Sequence, residues 1–500
     1  MTAKNDTEDG TLFPICDDIP ESGNPAITRQ KNDHRGIVIC QILGLAALAL
    51  VAYTAISGNF RALRYTILII PAILIVVKQS LIPYVFIASF FTVQGIIESG
   101  FMFAIQIVDF CFLVFILAFI SCNRIDFKAV LGGEQRRLFT ILMIFMLWAA
   151  VGFAVNFYSH EPLANITSAF YVFNIAQLIA IVVLLSQPQW KHLRENFVFF
   201  FLICILFEIA GALTSRALSE EVSYLGFKKL TNTFGTPHHG SMGNILVLSC
   251  GIASTACFML KNVRQKVFAG FVVAVSIGIL LISGSRSSVM GLVAALPITA
   301  LIGYRLTKKT LFLVLLAIAI SLVIFWISPL KMALVSMATA NDIDMSVYGR
   351  LLIWERVYEH AIDGPWVQKI FGIGIGTFNT LPFSYYLEAG TFAPSGHNNF
   401  FTAFVETGIV GLIIYLAFFA EIIRRLVIKS RQGDRPAKCF LVVSLALFFS
   451  CLTQETFWFS PAFGRFWIMY LFFYLILFDF DGNPTDIKQK PAFEKTANSS

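Results

Sequence analysis

Long apolar stretches separated by short polar breaks run along most of the chain. About 20 helical residues cross the hydrocarbon core of a bilayer, so each apolar run of that length predicts a spanning helix. Such runs fall near 36–56, 65–77, 81–97, 101–121, 138–157, 165–186, 196–213, 241–259, 266–283, 287–304, 310–329, 398–420, 439–455 and 463–481. The second is short and only weakly separated from the third. The pattern therefore predicts an all-α, polytopic membrane protein of about 12–14 helices.

Composition agrees with that pattern and narrows it. Of 500 residues 57% are hydrophobic and 13% charged, with a mean hydropathy of +0.75, more apolar surface than a soluble domain can hide. Residues 1–35 are polar and lack the short apolar core of a cleavable signal, so they read as a polar tail, as do residues 482–500. Placing both termini in the cytoplasm puts more than twice as many Lys and Arg inside as outside. The clearest inner connection carries Arg424, Arg425, Lys429, Arg431, Arg435 and Lys438. Anionic headgroups of membrane lipids account for the net charge of +7, and no nucleic-acid partner is needed. The nine cysteines form no C-x-x-C pair and read as small apolar residues. There is no repeat of fixed period.

This reading divides the chain into a cytoplasmic tail (1–35), spanning helices (36–329), a long outer loop (330–396), further spanning helices (397–481) and a second cytoplasmic tail (482–500). Only 214–240 and 330–396 are long outer connections. Within the second, "VYGRLLIWERVYEHA" (347–361) has helical periodicity that puts Val347, Leu351, Trp354 and Tyr358 on one face, bordered by Arg350. Such a helix can lie on the membrane with Arg350 reaching lipid phosphate, or Arg350 can serve a site. "FGIGIGTF" (371–378) lacks the G-K-[ST] of a nucleotide loop, so its glycines read as turn residues.

In "ISGSRSSVMGLVAAL" (282–296), Arg286 opens a span among Ser285, Ser287 and Ser288. Serines suit a helix N-cap, and a helix N-terminus beside an arginine makes an anion site. An arginine snorkelling to the headgroups is the plainer alternative. His238 and His239 are adjacent, with no Cys or carboxylate at zinc spacing, and Asp342 and Asp344 read as a solvated turn. No metal or cofactor is expected.

"PSGHNNFFTAFVETGIVG" (394–411) sets His397, Asn398 and Asn399 at the mouth of an apolar helix. One asparagine has a structural task as N-cap. His397 has none, and an imidazole can accept a proton near neutral pH. Glu406 lies on the opposite helix face and calls for a partner on another span. Two arginines suit a diphosphate and a histidine suits a general base. Group transfer outside the cell, where ATP is absent, needs a donor that arrives activated, such as a polyprenyl-diphosphate sugar.

The order of these pieces resembles the O-antigen ligase/polymerase family of bacterial envelope glycosyltransferases. The resemblance rests on "GSRSSVMGLV" (284–293), "YGRLLIWERVYEHAIDGPWVQKIFGIGIGTF" (348–378) and "GHNNFFTAFVETGIVGLIIYL" (396–416), and covers roughly 232–420. It implies a GT-C-like helical fold in the inner membrane and metal-independent, inverting sugar transfer at the periplasmic face. Arg286 and Arg350 would hold the donor diphosphate and His397 would deprotonate the acceptor. Trp354, Glu406, Asn398, His238 and His239 would support them. "GTPHHGSMGN" departs from the Pro-Asn of the family, which leaves the two histidines without an assigned role.

The implied partners are a polyprenyl-diphosphate-linked oligosaccharide donor, a glycan or lipid A–core acceptor, membrane lipids and a chain-length regulator. The many spans and the long loop point to a polymerase of O-antigen or exopolysaccharide repeat units. An O-antigen ligase and a protein O-oligosaccharyltransferase stand as alternatives. A flippase of the same lipid-linked sugar fits less well, because no repeat is visible and the polar residues gather at one surface.

Overall fold

The computed structural model describes residues 82–90, 112, 113, 116, 130, 131, 133, 135–157, 162–187, 194–218, 239–283, 285–303, 307–327, 345–378, 396–454, 457, 458 and 464–478. The expected spans 36–56 and 65–77, residues 81 and 91–97 of the third, most of 101–121, both tails and His238 lie outside the described residues.

Every regular element among the described residues is a helix. In chain order they are α1 (Ile82–Ser89), α2 (Arg136–Asn156), α3 (Pro162–Leu185), α4 (Arg194–Leu218), α5 (His239–Met259), α6 (Val263–Ile282), α7 (Arg286–Ile302) and α8 (Lys308–Ile327). Then follow α9 (Met345–Asp363), α10 (Trp366–Phe371), α11 (Asn399–Arg431), α12 (Arg435–Ser450) and α13 (Gly464–Leu477). Five segments of them are long and apolar enough to cross a membrane: Arg136–Asn156, Thr167–Leu185, Met242–Met259, Val263–Ile282 and Asn399–Arg431. The chain is an all-α polytopic membrane protein.

Lipid as solvent explains how these helices are distributed. On α2 the buried residues Leu138, Leu142, Phe145, Ala149, Gly152 and Asn156 follow one another by four and three, a single seam. Leu147, Val151 and Val155 on the other side are exposed and equally apolar, as a lipid-facing surface requires. Small residues draw the central helices together. A Cβ on Gly291 of α7 would lie 2.1 Å from the Ala446 carbonyl of α12, and one on Gly251 of α5 would lie 2.7 Å from Val443. Between these helices Asn244 Oδ1 accepts from Ser288 Oγ at 2.8 Å and from Ser450 Oγ at 3.0 Å.

Two expectations change. The single span at 398–420 is a bent pair. Helix α11 breaks at Gly408, whose backbone (φ 68°, ψ −177°) is not helical. The bend is sharp, because Asn399 Nδ2 donates to Tyr415 Oη at 2.8 Å. In a straight helix those residues would stand roughly 24 Å apart along the axis. The arm Asn399–Thr407 therefore folds back beside the long arm that runs on to Arg431. The second change is the buried edge of α9. Ile353 and Val357 are buried against Ile373, Phe378 and Val405, with Trp354 and Phe401 packed around them. Tyr358 is 66% exposed, so the seam runs through residues 353, 354 and 357. One residue of offset turns a helix by about 100°, which separates the two faces.

Candidate functional site at the bend of α11

Three helix ends meet at one place. Asn398 caps α11: its side chain accepts from Phe400 N at 2.9 Å and Phe401 N at 3.2 Å. Its Nδ2 donates to Leu452 O at 3.0 Å, and Asn399 N donates to Cys451 O at 3.0 Å. The turn 451–454 that ends α12 is thus held by the N-terminus of α11. The same turn is held from the other side by Ser287 Oγ of α7, which donates to Gln454 Oε1 at 2.6 Å. Above them Trp354 Nε1 of α9 donates to Gly396 O at 3.0 Å, one helical turn from Arg350. Arg286, Arg350 and His397 each stand within one helical turn of a residue in this set, and each is partly exposed. The structure therefore brings the three predicted site residues to one region, although they are far apart in sequence.

The serines act differently from the expected cap. Ser285 sits at the N-cap position of α7, but its hydroxyl makes no bond to the first-turn amides. It pairs with Ser288 Oγ at 2.8 Å, and its own N–H donates to Ser283 Oγ at 3.2 Å. The hydroxyl that would have neutralised the helix terminus is engaged elsewhere, so the partial positive charge of that end remains available beside Arg286.

The turn 451–454 stands lower than the bend of α11. At the opposite end Arg431 Nε donates to Ile302 O, so α7 and the long arm of α11 are level there. From that level α7 (17 residues) and α12 (16 residues) rise only about 25 Å, while the long arm rises roughly 35 Å to Gly408. The turn 451–454 and His397 thus lie roughly 10 Å beneath the bend. The contact of Asn399 with Tyr415 gives the same depth. His397 was expected at the mouth of the helix, and it stands directly before Asn398, the N-cap of α11.

His397 has φ 48°, the left-handed region that non-glycine residues rarely adopt. Its neighbours impose this conformation: Gly396 O is taken by Trp354 while Asn398 turns to cap α11.

Glu406 was expected to pair with another span. It is 2% exposed, and two backbone amides and an indole donate to it. Oε2 accepts from Gly376 N at 2.8 Å and from Trp458 Nε1 at 2.7 Å, and Oε1 accepts from Phe378 N at 3.1 Å. The glycine-rich stretch is thus a turn, as expected, with Gly372, Gly374 and Gly376 all at positive φ. It is wedged into the break of α11. Ile373 N and Gly374 N donate to the Val405 and Glu406 carbonyls, and Trp148 Nε1 donates to Thr407 O. A broken helix in lipid must have its freed carbonyls satisfied, and this loop does so. Gly408 fits because a Cβ there would lie 2.0 Å from Ile370 O.

Trp148, Trp458 and Gln454 were not singled out from sequence. The need of Glu406 for donors could have suggested a tryptophan. Nothing in the pattern marks Gln454. His239 is the first residue of α5.

Residues 270–416 match the family model described as O-Antigen ligase. That segment contains Arg286, Arg350, Trp354, His397, Asn398 and Glu406, and excludes His238 and His239. No curated protein matches the chain. The matched segment carries the candidate site and the bend, and over those residues the chain is similar to the O-antigen ligase family.

Proposed function

We propose that the chain is a glycosyltransferase that polymerises polyprenyl-diphosphate-linked oligosaccharide units at the periplasmic face of the inner membrane. The observation that supports this reading is that hydrogen bonds from Ser287, Trp354 and Asn398, near Arg286, Arg350 and His397 in the chain, gather their segments beside the N-termini of α7 and α11. A lipid-linked diphosphate has its charge at the membrane edge and its tail in the bilayer, which suits a site at the ends of apolar helices. The two guanidinium groups hold phosphate oxygens by paired hydrogen bonds. His397 takes the proton of the acceptor hydroxyl as its oxygen attacks the anomeric carbon. The bond from that carbon to the phosphate oxygen breaks, and polyprenyl diphosphate leaves with its charge stabilised by the arginines. A single displacement inverts the anomeric carbon. The chemistry needs no metal, since the arginines neutralise the leaving group.

The segment matched to the O-Antigen ligase description supports a second reading, transfer of the glycan to lipid A–core. Purified chain in nanodiscs with a defined lipid-linked oligosaccharide distinguishes the two. Longer glycan on the lipid identifies a polymerase, and glycan on added lipid A–core identifies a ligase. In the same assay His397→Ala should keep donor binding and lose roughly 10²–10⁴-fold in single-turnover rate. Arg286→Lys and Arg350→Lys should lose donor binding, because lysine cannot make the forked contact. Transfer by His397→Ala within a few-fold of the parent removes it as the base.

A further inference from the structure

The turn 451–454 belongs to the site as much as the helices it joins, and one of its side chains has no assigned role. Gln454 lies outside the matched family segment. It is partly buried, in the loop that leaves α12. Its Oε1 is occupied by Ser287 Oγ at 2.6 Å, and Ser287 is the neighbour of Arg286. Two residues earlier, Leu452 O accepts from Asn398, the neighbour of His397. Gln454 is thus placed between the expected anion ligand and the expected base.

A side-chain amide has one acceptor atom and one donor atom. With Oε1 engaged by Ser287, the remaining capacity of Gln454 is two N–H donors on Nε2. Nε2 makes no hydrogen bond to a described residue. The amide is also held still. Its carbonyl is fixed by α7, and its backbone turn is fixed by the cap of α11. Donors fixed in advance beside an arginine and a helix N-terminus suit a phosphate oxygen, because no ordering cost remains when the anion arrives.

We propose that Gln454 is a donor-binding residue whose Nε2 donates to an oxygen of the polyprenyl diphosphate, alongside Arg286. This rests on the glycosyltransferase reading above. Ser287 is then the positioning residue that turns the amide so that Nε2 faces the anion.

The test uses the full chain in nanodiscs and two probes, a polyprenyl diphosphate without sugar and the uncharged polyprenol of the same length. Gln454→Ala should weaken diphosphate binding on the order of tenfold or more, the scale of one hydrogen bond to a charged group. Gln454→Glu keeps the acceptor for Ser287 and the side-chain size but sets a carboxylate against the phosphate, so it should weaken binding further. Polyprenol binding should be unchanged in both. Ser287→Ala should give a smaller loss, since the donor remains but is no longer oriented. If Gln454→Ala does not fold, Gln454→Glu gives the same readout with the Ser287 contact kept.

The proposal is overturned if Gln454→Glu binds the diphosphate as the parent does, or loses both probes equally. Arg286→Lys in parallel separates the two levels. If it loses diphosphate binding while Gln454→Glu does not, the donor site stands and only the role of Gln454 fails. If neither loses it, the donor-site reading fails as well.

Discussion

Two glutamates on α11 are both nearly sealed from solvent, yet they do different work. Glu421 is satisfied by side-chain cations. Its oxygens accept from Arg424 Nε and Nη2 at 2.8 and 2.9 Å and from Arg425 Nε at 2.7 Å. Arg425 extends the contact to Gln135 at 3.1 Å, which ties α11 to the start of α2. Glu406, at the other end, is satisfied by two backbone amides and an indole. An ion pair on one helix fixes side chains. A carboxylate that accepts backbone N–H groups fixes the path of another chain segment. Glu421 therefore staples two helices, while Glu406 sets the shape of the loop and the bend that carry His397.

The strongest way to break this distinction is at the bend itself. Gly408→Ala sets a Cβ 2.0 Å from Ile370 O at a residue with φ 68°. Backbone cannot yield as a flexible side chain can, so most folded protein should be lost. Size-exclusion profiles of detergent-extracted chain would show it. A monodisperse, active variant would mean that the break does not depend on this glycine.

Glu406→Ala comes next. It leaves Gly376 N, Phe378 N and Trp458 Nε1 without their acceptor, at roughly 1–3 kcal/mol for each donor left buried and unsatisfied. Glu406→Gln should fall between, because its amide keeps one acceptor oxygen and turns an NH₂ toward N–H groups. Thermal unfolding should drop for both, and turnover per folded molecule should drop with it. Full turnover in folded Glu406→Ala would separate the loop from the site.

Glu421→Ala should cost about 3 kcal/mol, the scale for removing one partner from a buried pair. Unlike the change at Glu406, it should leave turnover per folded molecule intact. Arg424→Ala should have the smallest effect, below about 1 kcal/mol, because that side chain is 45% exposed. A loss of turnover in Glu421→Ala would erase the contrast between the two ends.

Much of the site was legible in the sequence for physical reasons. Arg286, Arg350 and His397 are polar groups in a chain where polarity is costly, so each stands out against its surroundings. Asn398 was legible because helix capping is a local rule, acting within three residues. The bend of α11 and the partners of Glu406 were not. A run of twenty apolar residues reads the same whether it is straight or broken, and only Gly408 hinted at the break. The face of α9 was misplaced because its apolar residues circle the helix. Its seam is chosen by Ile373, Phe378 and Val405, which are distant in sequence.

By itself, the sequence determined that the chain is helical and lives in a membrane. It also determined the order of motifs along the chain and the arginines, histidine and asparagines that stand in them. These follow from the length and composition of each segment. The tertiary structure alone decided that α11 folds back on itself and that the site lies at the foot of that fold. It also decided that Glu406 holds backbone and that Gln454 bonds Ser287, the residue after Arg286. In lipid both faces of a helix are apolar, so hydropathy carries little information about which face turns inward. What selects the arrangement is a set of hydrogen bonds between residues far apart in the chain, from Ser287 to Gln454 and from Glu406 to Trp458.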